Sequence, residues 1–459
     1  MNRFVVLGAL IPALMSSTAL GADVLQEQAL VVEDAPAFQL TGTAGIVGFH
    51  LPDFDTGVFD VTDDGLLWGG MLGFSAAAKV GGMDNWDVIL GVSAFGAFAG
   101  SSNSSTWSPG APGTLVITGL STPSNAGGPD GPDTITLTTD GGTNFATSDI
   151  SGVNPQGDAA VVGNLSASGT TDNLGVVSPS AGGGPNSFIV GAATTGNGTA
   201  AAYGAIADTS GGVFVAAGDI DDLSVETTVT RKLIYLGADI TLGLAGEVND
   251  GVSAQVYVGP SYRGLFQTNT TDVNINIAEV NPSAIVIPEF SISTEDDIDS
   301  NYFGGVLGGN ISFLASDGVT FSLGLEGGVY AVNASWTGQD TYSTCCGDFP
   351  NGDPSGSSPE LTITADPITT DFADEIAFAA RGNAGVTWDL DADKSFTLGG
   401  SVEYLSKVAT VDHGSRTTFT PGTDSDITWI NGDNPPGATV LSWGSMINFA
   451  LTASLTGHF

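Results

Sequence analysis

The sequence predicts an all-β fold, a transmembrane antiparallel up-and-down β-barrel of about ten strands. Three observations lead to this prediction: a glycine-rich and lysine-poor composition, segments in which apolar and polar residues alternate, and short turns that alternate with long polar loops. Glycine accounts for 66 of the 459 residues, about twice its ordinary usage. Such a composition favours strands joined by turns over long helices.

The chain begins with an export signal. MNRFVVLGALIPALMSSTALGA contains one cation, a short apolar run and small residues near its end. This pattern predicts that residues 1–22 are a cleaved secretory signal peptide and that residues 23–37 form a periplasmic N-terminal segment. No later stretch reaches the ~18 uncharged apolar residues of a spanning helix. The mature chain is therefore expected to cross a membrane only with strands.

The charge of the chain limits its partners. There are 50 Asp and Glu residues against 9 Lys and Arg residues, which gives a net charge of -41. Nucleic acid is excluded as a partner because no basic patch is present to neutralise phosphates. Hydrophobic residues make up 41% of the chain, which argues against disorder. No cofactor is expected, and acidic runs such as 294–301 and 218–226 are expected to bind divalent cations only weakly.

Short turns join strands that are consecutive in the sequence. Asn-Asp-Gly or Ser-Asp-Gly between two alternating runs is a strong hairpin signal. The predicted turns lie at residues 81–85, 249–251, 316–318 and 391–393. A first strand near 38–50 and a last strand near 439–459 bring the predicted count to ten.

Long polar loops occupy the alternate connections. They are predicted at residues 51–64, 101–230, 267–299, 337–372 and 412–438. The barrel is therefore predicted over 38–459, with 101–230 as a large loop insertion. Two apolar segments within that insertion offer two more strands, so twelve is the alternative count. The insertion has three alternative conformations: a plug in the lumen, an exposed adhesive patch, or a mobile loop.

These features resemble the bacterial outer-membrane β-barrel (porin-like) class: an export signal, short turns opposite long loops, and a last strand that ends in Phe459. The resemblance implies the outer membrane of a Gram-negative bacterium, with periplasmic turns and extracellular loops. It also implies that outer-membrane lipid and lipopolysaccharide surround the chain, and that Phe459 belongs to the signal read by the barrel-assembly machinery. A homo-oligomer is one option for such a barrel. A soluble β-sandwich or surface-layer protein is the structural alternative.

Charged residues within the predicted strands fall on the face that alternation assigns to the lumen. They are Lys79, Asp87, Asp239, Arg263, Glu326, Arg381, Glu403 and Lys407. The turn positions predict that Lys79 lies opposite Asp87, and that Arg381 joins Glu326 and Glu403 in one cluster. Such charges indicate either a constriction that sets ion selectivity or mutual neutralisation inside a filled barrel.

The expected function is a porin-like channel for passive diffusion of ions or small solutes, with a preference for cations because the loops are acidic. The alternative is a non-conducting structural or adhesive barrel that displays the loop 101–230. An omptin-like or lipid-hydrolysing barrel enzyme is a remote alternative, and the protein is not expected to be an enzyme. His50 and His413 lie at the predicted extracellular mouth, where omptin proteases carry an Asp–His couple. Adjacent Asp412 and His413, however, point to opposite faces of a strand.

The two cysteines, Cys345 and Cys346, are adjacent. A bond between neighbours closes only a small strained ring and joins no two elements. An intermolecular link and a pair of free thiols are the alternatives, and their redox state stays open. A metal site is not expected, because no histidine or further cysteine lies close in the sequence.

Overall fold

The computed structural model describes residues 38–459 except 60, 64, 84–85, 124–132, 141–144, 154–159, 169–172, 178–186, 197–198, 278–288, 346–360 and 423–424. Every regular element in these residues is a β-strand. No helix in this part of the chain is long and apolar enough to cross a membrane. The predicted signal peptide, the segment 23–37 and Cys346 lie outside the described residues.

Ten long strands form a ring. They are β1 (Phe38–His50), β2 (Leu66–Met83), β3 (Trp86–Trp107), β4 (Leu223–Asn249), β5 (Val252–Ile277), β6 (Glu289–Ser316), β7 (Val319–Cys345), β8 (Glu375–Asp391), β9 (Lys394–His413) and β10 (Thr439–His458). Each strand pairs antiparallel with its neighbours in this order, and β1 pairs with β10. Phe38 and Phe459 exchange two backbone hydrogen bonds at this closure. The predicted number of strands agrees with this ring.

The predicted turns lie at one end of the ring. Gly251 and Gly318 have φ angles of 74° and 72° in the β4–β5 and β6–β7 turns. Glycine adopts this left-handed conformation without the steric penalty of a side chain, which is why the Asn-Asp-Gly and Ser-Asp-Gly signals located these turns correctly. Both chain ends of the ring lie at the same end as the turns, because the strand number is even.

The outer face of the ring carries an apolar band. Large apolar side chains are exposed there on every strand, with Leu325 at 75% and Leu451 at 65%. On β6 the exposed apolar face runs from Phe303 to Phe313. Ten steps of ~3.4 Å, tilted by ~40°, span ~25 Å along the ring axis, which is the height of the lipid-facing band of outer-membrane barrels.

Four strands continue far beyond this band, where the sequence predicted loops. β5 extends to Ile277, β6 starts at Glu289 and β7 extends to Cys345, so the predicted loops 267–299 and 337–372 are largely wrong. The alternation persists there, but the outward residues of β6 are Glu295, Asp297 and Asp299. Because apolar outward residues were the signal for a strand, a strand with a solvated outer face was missed. These extensions form a wall above the membrane band.

The insertion folds into two sheets, here called the cap, together with two short strands from the segment between β9 and β10. The six-stranded sheet contains Asn173–Val177, Ser187–Gly196, Thr199–Asp208, Gly211–Gly218, Gly113–Thr118 and Thr417–Pro421. The four-stranded sheet contains Ile427–Ile430, Thr134–Asp140, Phe145–Val153 and Ala160–Ser168. The segments behind the alternative of twelve strands therefore form strands outside the ring, and that alternative is wrong. Four further short strands are Phe54–Asp55, Thr62–Asp63, Leu361–Thr364 and Ile368–Asp371.

The cap has its own core and also packs inside the wall. Residues between its two sheets, such as Ile135, Val215 and Trp429, are buried. The opposite face of the six-stranded sheet contacts the inner side of the wall, where the rings of Phe214 and Phe290 stack with centroids 5.5 Å apart. Of the three conformations considered for the insertion, the structure is nearest to a plug, although it fills the mouth and not the membrane-spanning lumen.

Candidate functional site

Arg263 on β5 is the centre of a group of charges inside the ring. Its Nη1 lies 2.7 Å from Asp239 Oδ1, its Nη2 3.7 Å from Glu326 Oε1 and its Nε 4.0 Å from Glu403 Oε1. The carboxylates come from β4, β7 and β9, so one guanidinium connects four strands. The Arg263 side chain is 1% exposed. Asp239, Arg263, Glu326, Arg381 and Glu403 are called the charged layer below.

Neutral side chains fix the two glutamates of the charged layer. Tyr235 Oη donates to Glu403 Oε1 at 3.0 Å, and Asn448 Nδ2 donates to Glu403 Oε2 at 2.9 Å. Tyr257 Oη donates to Glu326 Oε2 at 3.0 Å. These donors lie on β4, β5 and β10, so the carboxylates are held from several sides of the lumen.

The layer differs from the predicted cluster in its centre. The register places Arg381 directly opposite Glu326 on β7 and Glu403 on β9, as the turns predicted. Within the described residues, however, no carboxylate oxygen lies within 4.0 Å of the Arg381 guanidinium, and Arg263 makes the ion pairs instead. Arg263 reaches Glu403 across the lumen. Sequence reasoning missed this contact because turns report only which strands are adjacent.

Three other predicted lumenal residues lie away from the layer. Lys79 lies opposite Ile89 and not opposite Asp87, because a bulge between Lys79 and Gly81 shifts the predicted register. Its Nζ nevertheless lies 2.8 Å from Asp87 Oδ1 near the β2–β3 turn. Lys407 is half-exposed, and its Nζ lies 3.8 Å from Glu375 Oε2 at the upper end of β8. A register shift between residues 405 and 408 interrupts the alternation in β9, so the lumenal position predicted for Lys407 is wrong.

Apolar side chains fill the lumen on the cap side of the charged layer. They form one buried cluster that includes Leu233, Leu265, Tyr302, Val332, Leu405 and Met446. We call this cluster the apolar layer. On the turn side of the charged layer, polar side chains such as Gln255 and Thr397 are buried, whereas Asn383 and Ser401, next to Arg381, are half-buried. Solvent therefore approaches the charged layer most closely beside Arg381.

Further charges meet at the mouth, between the apolar layer and the cap. His413 Nε2 lies 2.9 Å from Asp296 Oδ2, and Trp336 Nε1 donates to Asp296 Oδ1 at 2.8 Å. Both side chains of the His–Asp pair are at most 1% exposed. The partner of His413 is therefore Asp296 from β6 and not its neighbour Asp412, and the pair is buried beneath the cap.

Arg231, Asp63, Arg416 and Asp340 are polar residues of the mouth that sequence reasoning missed. Arg231 Nη1 lies 3.3 Å from Asp63 Oδ1, and Arg416 Nη1 lies 3.9 Å from Asp340 Oδ1. All four are nearly inaccessible to solvent. Continued alternation beyond the apolar band was the signal that could have assigned Asp296 and Asp340 to the inner face of the wall.

The remaining histidines make local contacts. His50 Nδ1 lies 3.1 Å from the Leu51 carbonyl oxygen, and Gln39 Nε2 donates to His458 Nδ1 at 3.0 Å near the closure of the ring. In the described part of the chain, no group of three His, Cys, Asp or Glu residues is arranged to hold a metal ion. Weak divalent binding by the acidic segments stays a prediction.

The ten-strand ring, the exposed apolar band and the polar interior give the chain the fold of the bacterial outer-membrane β-barrel class. Among solved structures it is similar to a Pseudomonas aeruginosa FadL homologue, at 9% identity over 92% of this chain and 90% of that chain, with a TM-score of 0.23. It is also similar to the Pseudomonas putida toluene transporter TodX, at 9% identity over 96% and 95% of the two chains, with a TM-score of 0.20.

Acinetobacter baumannii OccAB2 is a third similar structure, at 9% identity over 91% of this chain and 97% of that chain, with a TM-score of 0.16. No family model and no curated protein matches the sequence. Because the TM-scores are low, nothing about function is transferred from these proteins. The class rests on the strands, the band and the interior of this chain.

Proposed function

We propose that the protein is a porin-like outer-membrane channel for small cations or small polar solutes, closed in the conformation described. The observation that carries this proposal is the charged layer across the lumen. Buried ion pairs lose hydration and are often no more stabilising than apolar residues of similar volume. A barrel that needed only to be filled has no requirement for such a layer, whereas charged side chains inside a pore select ions.

The charge of the layer favours cations. Its three carboxylates and two guanidinium groups give a net charge of -1, and the whole chain carries -41. A negative potential along a low-dielectric passage raises the local concentration of cations. This supports the preference for cations that the acidic composition predicted.

The apolar layer accounts for the closed state. Tyr302 and Leu405 are fully buried, and Tyr302 Oη donates to the Lys407 carbonyl oxygen on the opposite side at 2.8 Å. A dry constriction of this kind stops ions because they cannot keep their hydration shell within it. Conduction therefore requires the apolar layer to part and the cap to leave a path at its edge.

A second candidate is a non-conducting barrel that displays the cap. It is favoured by the apolar packing of the cap inside the wall, where Phe188, Phe214 and Phe290 are all buried. In this case the charged layer is a neutralised filling, and the acidic cap carries the function. The two candidates differ in whether the barrel ever conducts.

The test is the conductance of the refolded mature protein in a planar lipid bilayer under a salt gradient and an applied voltage. Discrete steps with a cation-selective reversal potential support the channel. Glu403→Gln should then shift the reversal potential toward zero, while the surface variant Asp297→Asn should shift it less. Inserted, heat-modifiable barrels that stay silent at all voltages overturn the channel and leave the display function.

A further inference from the structure

Arg381 differs from the other members of the charged layer in its contacts. Arg263 donates hydrogen bonds to Asp239, Ser261 and the Tyr262 carbonyl oxygen at 2.7–3.0 Å. The two glutamates accept from Tyr257, Tyr235 and Asn448, as described above. Arg381 donates no hydrogen bond to any described residue, and its Nε is buried without a partner. It is nevertheless only 7% exposed.

Two carboxylates attract Arg381, but no hydrogen bond fixes the position of its side chain. Glu326 and Glu403 flank it on the two adjacent strands, and its charge acts on Glu326 from beyond ion-pair distance. Two residues farther along β8, toward the turn end, the inward-facing Asn383 is half-buried. Solvent therefore has partial access to the lumen wall beside Arg381, on the turn side of the layer.

A nitrogen that is buried without a hydrogen bond is in an unfavourable environment, and this applies to Nε of Arg381. Movement toward the half-buried Asn383 and Ser401 exposes Nε to water while the side chain remains near the two glutamates. Arg263 cannot move in this way, since its hydrogen bonds hold it to β4 and β5. Of the two lumenal arginines, Arg381 is the one with the freedom to move.

We propose that Arg381 is a mobile selectivity residue of the channel, an inference that rests on the proposed function. In the closed state its guanidinium acts as an internal cation between Glu326 and Glu403. When it swings toward the periplasm, the layer holds three carboxylates and one guanidinium, and its net charge changes from -1 to -2. A monovalent metal ion or a primary ammonium group then takes the position that the guanidinium has left.

The first experiment measures the motion of Arg381 without relying on conduction. The mature chain has only four arginines, Arg231, Arg263, Arg381 and Arg416, so ¹⁵N-arginine labelling of the micelle-refolded barrel resolves each Nε–H group. Arg381→Lys assigns its signal. We expect the Arg381 Nε–H to exchange with water about tenfold faster than that of Arg263, because exchange tracks local opening. Equal exchange rates and equal order parameters overturn the inference.

The second experiment measures selectivity. Arg381→Met should shift the reversal potential further toward the equilibrium potential of the cation, because the layer loses its mobile positive charge. Arg381→Lys should retain the selectivity of the wild type. A conducting wild type whose selectivity is unchanged in Arg381→Met overturns the inference but leaves the channel intact. Silent wild-type and variant barrels with a mobile Arg381 side chain instead overturn the proposed function, and the selectivity role with it.

Discussion

Arg263 Nη1 lies 2.7 Å from Asp239 Oδ1, and the two side chains are at most 1% exposed. They are diagonal neighbours on β5 and β4, since Asp239 pairs with Ser261 in the register. This contact fixes the positions of both charged groups within the charged layer. It also leaves Arg263 positioned to reach Glu326 and Glu403.

Asp239→Asn should destabilise the barrel. Arg263 then has carboxylates only at 3.7 Å and 4.0 Å, from Glu326 and Glu403, so the loss of its charge-assisted hydrogen bond costs about 1.5–3 kcal/mol. The measurement is urea unfolding of the barrel in detergent, followed by heat-modifiable migration in gels. The exposed pair Lys394–Asp391 provides the control, and Lys394→Met should leave the unfolding midpoint unchanged. Equal midpoints for the two variants would contradict a structural role for the Arg263–Asp239 contact.

His413→Ala should loosen the mouth without abolishing any hydrolytic activity. The change leaves Asp296 Oδ2 buried without its donor, which costs about 1–3 kcal/mol. Hydrogen exchange of the β6 and β9 amides measures this effect. Thr439→Ala is the milder control, because Thr439 Oγ1 contacts the other imidazole nitrogen at 3.2 Å. Loss of a protease or lipid-hydrolase activity on His413→Ala would instead revive the enzymatic alternative.

Gly119→Ala should displace the edge of the cap. A Cβ at this position collides with the Tyr342 hydroxyl and the Asp340 carboxylate, and the adjacent Leu120 N–H donates to Asp340 Oδ2 at 2.5 Å. Such overpacking costs about 1–3 kcal/mol. Faster limited proteolysis within 101–230 is the readout. Gly327→Ala on β7 is the matched control, because nothing lies within 4 Å of its added Cβ.

The cap should lose stability as the pH rises toward neutrality. Burial, followed by the hydrogen bond and charge of Asp221, raises the pKa of Asp219 from 3.8 to about 7. Asp219 therefore binds more proton in the folded cap than in the unfolded chain between these values, and its contribution to stability is present below pH ~4 and lost as pH rises through ~7. The same hydrogen bond lowers the pKa of Asp221, which offsets part of this dependence. Asp219→Asn should flatten this dependence in thermal unfolding of the cap, whereas Asp317→Asn at a periplasmic turn should not. An unchanged slope of stability against pH in Asp219→Asn would contradict the raised pKa of Asp219.

Phe459→Ala should reduce assembly in cells more than stability in vitro. Phe459 is 72% exposed, and its ring lies 6.2 Å from that of Phe38, so the side chain buries little area. If it belongs to the signal read by the barrel-assembly machinery, the amount of folded protein in the outer membrane should fall several-fold. Phe313→Ala on the lipid-facing band is the control, since it removes an aromatic ring without touching the chain end. Equal losses for both variants would argue against the signal.

The sequence by itself determined the ring of ten strands, its turns and the direction of most side chains. Alternation and turn chemistry are local properties of the sequence. Gly251 and Gly318 therefore identify their hairpins, and Leu325 is assigned to the outer face, without knowledge of the rest of the chain. The register that follows from the turns also placed Arg381 between Glu326 and Glu403. The same local signals failed where the outer face turned polar in β6 and where a bulge displaced Lys407.

Only the tertiary structure decided which residues meet across the lumen and where the insertion docks. Arg263 and Glu403 are 140 residues apart in the sequence, and their contact depends on the curvature of the ring and the size of the side chains between them. The cap packs inside the wall, where the rings of Phe214 and Phe290 stack. The alternation of apolar and polar residues does not predict which apolar surfaces will pack together. Closure of the lumen likewise depends on the volumes of side chains from many strands. Only the spatial arrangement of those strands shows whether the side chains fill the space.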